Sequence, residues 1–365
     1  MKVSELGEFG LIDLLAKMAY AAQDKKKGAW QRLILGIGDD AAAWSGNDSI
    51  QLATVDSLVQ DVHFSLDITS WEELGWRALA ANLSDIAAMG GLPQYALVSL
   101  ALPDHTEVED VTALYRGMLE LAQRFEVAIV GGDTSSAPLL VINITILGST
   151  KSQDKHILTR SATKPGEKVA VTGYLGTAAA GLEMLLKRPP YGSEPTAFSK
   201  YVPYDSKATA SSKNLQFDSE VTASLKRAFL QPYPRIAEGQ ILIEQGVRAA
   251  IDISDGLISD LRHICKASQV SARIEIDRVP IQPIVKTNFG DRALELALSG
   301  GEDYELLFTA SAEIINKVKA ATSYPITEIG EIMADKAGEI TLVDGKGNLV
   351  DLPKAGWEHF TTRSG

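Results

Sequence analysis

Carboxylates recur where apolar runs of this chain end. Leu33-Ile34-Leu35-Gly36-Ile37-Gly38-Asp39-Asp40 closes on two glycines and two acids. The segments ending at Asp56, at Gly131-Gly132-Asp133 and at Asp252-Ile253-Ser254-Asp255 repeat the figure. Asp favours turns and helix caps, so any one of these acids has an ordinary structural explanation. Four such runs together predict chemistry. Carboxylates gathered at strand ends repel one another unless a cation sits among them. An all-oxygen donor set suits Mg²⁺, and Mg²⁺ usually accompanies a phosphorylated substrate.

The composition narrows the class of protein. A chain of 365 residues, 45% hydrophobic and 22% charged, predicts a globular protein of two domains. The formal net charge of −12 argues against nucleic acid as a partner, which needs a basic face. It also repels phosphate-bearing substrates unless metal ions intervene. No apolar run reaches membrane-spanning length, and Met1-Lys2-Val3-Ser4-Glu5 lacks the plan of a signal peptide. Cys265 is the single cysteine, which excludes an intrachain disulfide and a thiolate metal cluster. A cytoplasmic location without membrane attachment is expected.

Elements must position the acids. Phe9, Ile12, Leu15 and Met18 recur at helical spacing, and a polar break at 23–28 leads into the first acid-tipped strand. Thr69-Ser70 reads as the N-cap of a helix that runs through Asn82-Leu83-Ser84-Asp85 and stops at Gly90-Gly91. Asp85 falls near the negative end of that helix, where a carboxylate needs compensation from a metal, an arginine or solvent. Strand (95–102), helix (108–125), strand (127–130) and strand (139–147) complete an N-terminal domain over 1–150. A polar linker opens the C-terminal domain, 151–365. There a strand (169–172) turns through Gly173-Tyr174-Leu175-Gly176-Thr177 into an Ala-rich helix. That junction either cradles a phosphate or simply uses glycine for tight turning. Residues 189–219 have no clear period and read as an inserted mobile loop. The Asp252 strand, a helix over 257–267 and Ser299-Gly300-Gly301-Glu302-Asp303-Tyr304-Glu305 feeding an apolar strand follow.

The usual phosphate machines are missing from the sequence. It has no G-x-x-x-x-G-K-[ST] loop and no kinase H-R-D or D-F-G set. His63 and His263 lack zinc spacing, and Ser254 lacks a nucleophile elbow. If the chain moves phosphate, acid-held Mg²⁺ must neutralise the charge that a P-loop lysine meets elsewhere.

Gly36-Ile37-Gly38-Asp39-Asp40, Asn82-Leu83-Ser84-Asp85, Gly131-Gly132-Asp133-Thr134, Ile251-Asp252-Ile253-Ser254-Asp255-Gly256-Leu257 and Ser299 to Glu305 together resemble the thiamine-monophosphate kinase family. Gly7-Glu8-Phe9 and Gly356-Trp357-Glu358-His359-Phe360 extend the resemblance over nearly the whole chain. It implies the PurM-like fold of the aminoimidazole-ribonucleotide-synthetase superfamily. That fold has an α+β N-terminal domain, an α/β C-terminal domain and a homodimer joined through the N-terminal sheets. It implies transfer of the ATP γ-phosphoryl group to thiamine monophosphate, giving thiamine diphosphate. By position, Asp40, Thr54, Asp56, Asp85, Asp133, Asp252 and Asp255 match Mg²⁺ ligands. Tyr115, Gly132, Arg160 and Ser254 match ATP contacts, and His63, Glu302 and Trp357 match contacts to the phosphate acceptor. Val55 stands where relatives often carry a hydroxyl residue, Gly176-Thr177 replaces a usual Gly-Asp, and the 189–219 loop is longer than the family norm.

Direct transfer fits this inventory. A phosphate acceptor is already a capable nucleophile and needs no strong base, and no residue is marked as a covalent carrier. Two alternatives remain from the sequence. One is another superfamily member, aminoimidazole-ribonucleotide or selenophosphate synthetase; the latter expects a reactive Cys or selenocysteine near the N-terminus, and Cys265 is in the wrong half. The other is a non-catalytic divalent-cation-binding regulator, which would keep the acids without needing Arg160 or Glu302.

Overall fold

The computed structural model describes residues 32–46, 48–151, 156–186 and 219–351. The expected first helix, all but the last residue of the 189–219 insert, and Trp357 lie outside the described residues.

The first half is built from β1 (Leu33–Leu35), β2 (Ala42–Ser45), β3 (Ile50–Val59), α1 (Trp71–Ala88), β4 (Leu92–Leu102), α2 (Val108–Arg124), β5 (Ala128–Ser136) and β6 (Val141–Ser149). Its strands form one sheet in the order β1-β2-β3-β6-β4-β5. β6 pairs antiparallel with both β3 and β4, whereas β5 runs parallel to β4. A parallel neighbour requires a crossover connection, and α2 supplies it. Along β3, Leu52, Thr54 and Leu58 are buried while Val55 is 59% exposed. One face therefore packs on α1 and the other is open.

Sequence chemistry sets both ends of α1. Ser70 and Glu73 form the reciprocal capping box expected of an S-x-x-E start: the Glu73 amide donates to Ser70 Oγ at 3.3 Å and the Ser70 amide to Glu73 Oε2 at 3.0 Å. At the far end the Gly91 amide returns to the Ile86 carbonyl at 2.9 Å. The helix between is buried on nearly every side, because it lies against β3 and β6 and also against the second half.

The second half contains β7 (Lys168–Thr172), α3 (Thr177–Leu186), α4 (Ser219–Leu230), α5 (Ile236–Glu244), β8 (Ala249–Asp252), α6 (Leu257–Ala267), β9 (Ser271–Glu275), α7 (Pro283–Phe289), α8 (Arg292–Ser299), β10 (Leu306–Ala310), α9 (Ala312–Ala321), β11 (Ile326–Met333), β12 (Ile340–Val343) and β13 (Leu349–Val350). Its sheet has the order β13-β12-β9-β11-β7-β10-β8. β12 and β9 are parallel; the other pairs are antiparallel. β8 and β10 are buried at every residue, which is why they read as unbroken apolar runs. Ala170, Ala250, Leu306 and Phe308 of this sheet share a core with Leu79, Leu83 and Ile86 of α1. That shared core holds the carboxyl end of β8 beside the last turns of α1.

Two of the acids expected at strand ends stand inside strands. Asp56 is within β3, and Gly131-Gly132-Asp133 continues β5 to Ser136. Gly and Asp are poor strand formers, but pairing with β4 carries the chain through them, with a bulge opposite Ala96 and Leu97. Only glycine fits at 132, since a Cβ there would lie 1.7 Å from the Val98 carbonyl oxygen.

Candidate active site

Three carboxylates from three separate elements meet. Asp40 follows β1, Asp85 lies in the last turns of α1, and Asp252 ends β8; each offers an oxygen within 4.8 Å of the others. Short polar side chains orient them. Thr54 Oγ1 donates to Asp85 Oδ2 at 2.6 Å, and Ser84 Oγ donates to Asp252 Oδ2 at 2.7 Å. The Asn82 carboxamide is fixed by donating to the Ala78 carbonyl at 3.0 Å, and its oxygen accepts the Asp56 amide at 3.0 Å. The Asn-Leu-Ser-Asp segment thus uses three of its four residues on the acids. Asn82 and Ser84 carried no role in the sequence reading, although their place in that segment was the available signal.

The electrostatics are those of charges crowded out of water. Burial, then the neighbouring Asp56, Asp252 and Asp40, hold the Asp85 carboxyl well above the usual carboxylate range. Burial and Asp40 push Asp252 up to about 8, against the lowering effect of Ser84 and Arg160. Asp56 is pushed up to about 6 by burial, Glu302 and Asp40, and Asp39 to about 7 by burial and Asp40. These are the acids a cation would relieve. Asp40 Oδ2 is buried and finds no hydrogen-bond partner among the described residues, which marks an acceptor reserved for a ligand. The donor set is all oxygen, so it fits a hard divalent cation such as Mg²⁺.

Arg160, distant in sequence, closes one side. Its amide donates to Asp39 Oδ2 at 3.0 Å, and its Nη2 pairs with Asp40 Oδ1. A guanidinium beside the acids offers a second positive partner for phosphate oxygens.

The other expected site residues are more dispersed. Asp255 groups with Asp260 and His263 rather than with the central three acids. Asp260 Oδ2 accepts the Asp255 and Gly256 amides at 3.2 and 3.1 Å, fixing the turn after β8. Burial and the nearby Arg160, Lys266 and Arg262 lower His263 to about 4, leaving its imidazole neutral at pH 7. Asp133 is not in the cluster. It is exposed on the edge strand β5, in register across β4 and β6 with Ser99, Asn143 and Ser57 on the open face, whereas Thr54 and Asp56 alternate onto the α1 side. Gly132 lies beside it, and Tyr115 is half-buried on α2 against the first core.

The Ser299–Glu305 loop lies against the turn that follows β8. Glu302 and Tyr304 adopt positive φ of 70° and 49°, a strain of about 1–3 kcal/mol each that surrounding bonds must hold. The Glu302 amide donates to the Ser254 carbonyl at 2.8 Å, and the Tyr304 amide to Ile253 at 2.9 Å. Gly301 permits the approach, since a Cβ there would sit 2.2 Å from the Ser254 oxygen. His63 Nδ1 accepts the Val59 amide at 3.0 Å, so its neutral ring carries the proton on Nε2.

The glycine junction before α3 is settled by its own chain. Asp303 accepts the Gly176 amide at 2.6 Å and the Ala178 amide at 3.1 Å. A carboxylate thus fills the helix N-terminus that a phosphate would need, and the junction serves as an anchor for the 299–305 loop. Asp303 itself was not singled out from the sequence; only its place in the Gly-Gly-Glu-Asp segment hinted at it.

Residues 38–150 match the family described as AIR synthase related protein, N-terminal domain, and residues 205–343 match its C-terminal domain. Fold and acid cluster therefore define a two-part protein of the AIR synthase related class. Thiamine-monophosphate kinase of Bacillus subtilis (strain 168) is 36% identical over 334 residues, covering 89% of this chain and 93% of its own. That of Aquifex aeolicus (strain VF5) is 33% identical over 364 residues, covering 99% and 100%. A solved structure of AaThiL complexed with AMPPCP and TMP superposes with a TM-score of 0.76 at 31% identity, covering 98% and 99%. The chain belongs to the thiamine-monophosphate kinase family. Hydrogenase maturation protein HypE in complex with ATP shares the fold at a TM-score of 0.60 and 17% identity, covering 93% and 95%.

Proposed function

We propose that this protein transfers the γ-phosphoryl group of ATP to the phosphate of thiamine monophosphate, producing thiamine diphosphate and ADP in one in-line step. The Asp40, Asp85 and Asp252 triad, with Asp40 and Asp252 buried, carries the proposal, because two anions must be brought together in a protein of net charge −12. Mg²⁺ would be held there by these three acids, with Thr54 and Asp56 beside them and Asp255 in the separate group after β8, and it supplies charge neutralisation for the phosphates. In this reading Arg160 and Ser254 bind the nucleotide, together with Tyr115 and Gly132. His63 donates from Nε2 towards the acceptor phosphate, and Glu302 and Trp357 hold the thiamine part. No base is required, since the acceptor oxygen is already anionic.

The open face of the first sheet supports a homodimer. Val55, Tyr95, Leu97 and Val130 are each at least 40% exposed there, and exposed apolar residues grouped on one sheet face mark an interaction surface. A second copy laid on this face would also cover the row that ends at Asp133, giving that acid a route to a site in the assembled protein. We place the boundary of the two domains near residue 150, between β6 and β7, and the reaction in the cytoplasm, where ATP is available.

The test is direct. Purified protein with ATP, Mg²⁺ and thiamine monophosphate should yield thiamine diphosphate, resolved by chromatography. Absence of product, with turnover of a different acceptor, overturns the assignment.

A further inference from the structure

Arg77 has no place in the chemistry described so far, yet its position is unusual. It sits on α1, 2% exposed, and long charged side chains are almost never so buried without a partner. Its Nε donates to Glu302 Oε2 at 2.8 Å and its Nη1 to the His63 carbonyl at 3.1 Å. Its guanidinium stacks 4.4 Å from the ring centroid of Phe229. One planar cation from the first half therefore grips the 299–305 loop of the second half and the turn after β3 at once. Tyr304 adds a hydroxyl bond to Glu302 Oε2 at 3.2 Å. Both ties fall on the same oxygen, so among the described residues neither occupies Oε1, which can serve a ligand.

From this arrangement we infer that Arg77 is a positioning residue for the thiamine-monophosphate pocket, setting the orientation of Glu302 and its distance from His63. The inference rests on the proposed function and adds a residue to it. It also decides how Glu302 works. A carboxylate already paired with a buried guanidinium offers little unshared negative charge. It acts as an aimed hydrogen-bond acceptor for an N–H of the acceptor's aminopyrimidine ring. A lysine at 77 keeps the charge but cannot present two fixed N–H groups in one plane.

Steady-state kinetics of Arg77→Met, Arg77→Lys, Glu302→Gln and the double variants with Glu302→Gln test this. Arg77→Met and Arg77→Lys should each raise KM for thiamine monophosphate about tenfold, with KM for ATP within about twofold of wild type. On the Glu302→Gln background the same changes should cost markedly less, because residues that act through one another are non-additive. Tyr304→Phe, which keeps the packing, should raise the same KM several-fold and serves if the Arg77 variants fold poorly. Calorimetric binding of thiamine monophosphate should weaken in parallel. Effects that multiply independently, or an equal rise in both KM values, overturn the positioning role. A wild-type protein inert towards thiamine monophosphate overturns the functional reading, and this inference with it.

Discussion

Asp252 is pushed up to about 8 and Asp39 up to about 7, far above the usual carboxylate range. In both cases burial is the first cause and a neighbouring carboxylate the second. The folded state therefore binds protons that the unfolded chain has already released. By linkage, that stabilisation is present at low pH and is lost as pH rises through the folded values. The metal-free protein should melt at progressively lower temperature between about pH 4 and pH 8. Mg²⁺ should counter the loss most strongly at the upper end, where the acids are free to ligate it. A melting temperature that rises with pH in the presence of chelator would contradict this electrostatic picture. Asp252→Asn should flatten the pH profile and abolish turnover while circular dichroism stays native, because removing like charge from a cluster relieves repulsion. Outside the described residues, Trp357→Leu should raise KM for thiamine monophosphate several-fold or more and spare ATP. An indole face attracts the thiazolium cation by roughly 0.5–2 kcal/mol.

Among the elements, α1 does most to assemble the site. It presents Asn82 towards β3, Ser84 towards β8 and Asp85 between them, and Arg77 two turns earlier reaches the 299–305 loop. The notable feature of α3 is its start, where Asp303 of that same loop accepts two amides. Replacing Asp303 with Ala leaves those donors unmet at a partly buried helix end. It should cost about 1–3 kcal/mol in denaturant unfolding and raise KM for thiamine monophosphate through Glu302. Unchanged stability would show that water replaces the cap at no cost.

For the molecule as a whole, the shared core between the two sheets makes the acid cluster a product of how the halves sit together. Asp40 and Asp85 come from one half and Asp252 from the other. The open sheet face is what supports the proposed homodimer. Leu97→Glu places a charge on that face without touching the core, since Leu97 is 40% exposed. If the proposed dimer forms, sedimentation should show dimer for wild type and monomer for this variant. Turnover should fall if Asp133 is supplied across the interface. A wild-type protein that sediments as a monomer removes the dimer and this route for Asp133 together.

Local chemistry was legible in the chain. The N-cap at Ser70, the helix over 257–267 and the buried character of the Asp252 strand follow from side-chain preferences within a few residues. The gathering of Asp40, Asp85 and Asp252 was anticipated from the family resemblance, and for Asp40 and Asp252 also from their place at the ends of apolar runs. Their 4.8 Å proximity required the packing of α1 between two sheets. Three outcomes lay beyond sequence reading. Gly131-Gly132-Asp133 runs inside β5, because hydrogen bonding to β4 outweighs weak strand propensity. The glycine junction before α3 is closed by Asp303, more than a hundred residues later in the chain. Arg77 reads as one polar position on a helix, and only folding places it between His63 and Glu302. Sequence spacing reports neighbours along an element. A carboxylate's partner across the molecule is chosen by which faces the hydrophobic core forces together.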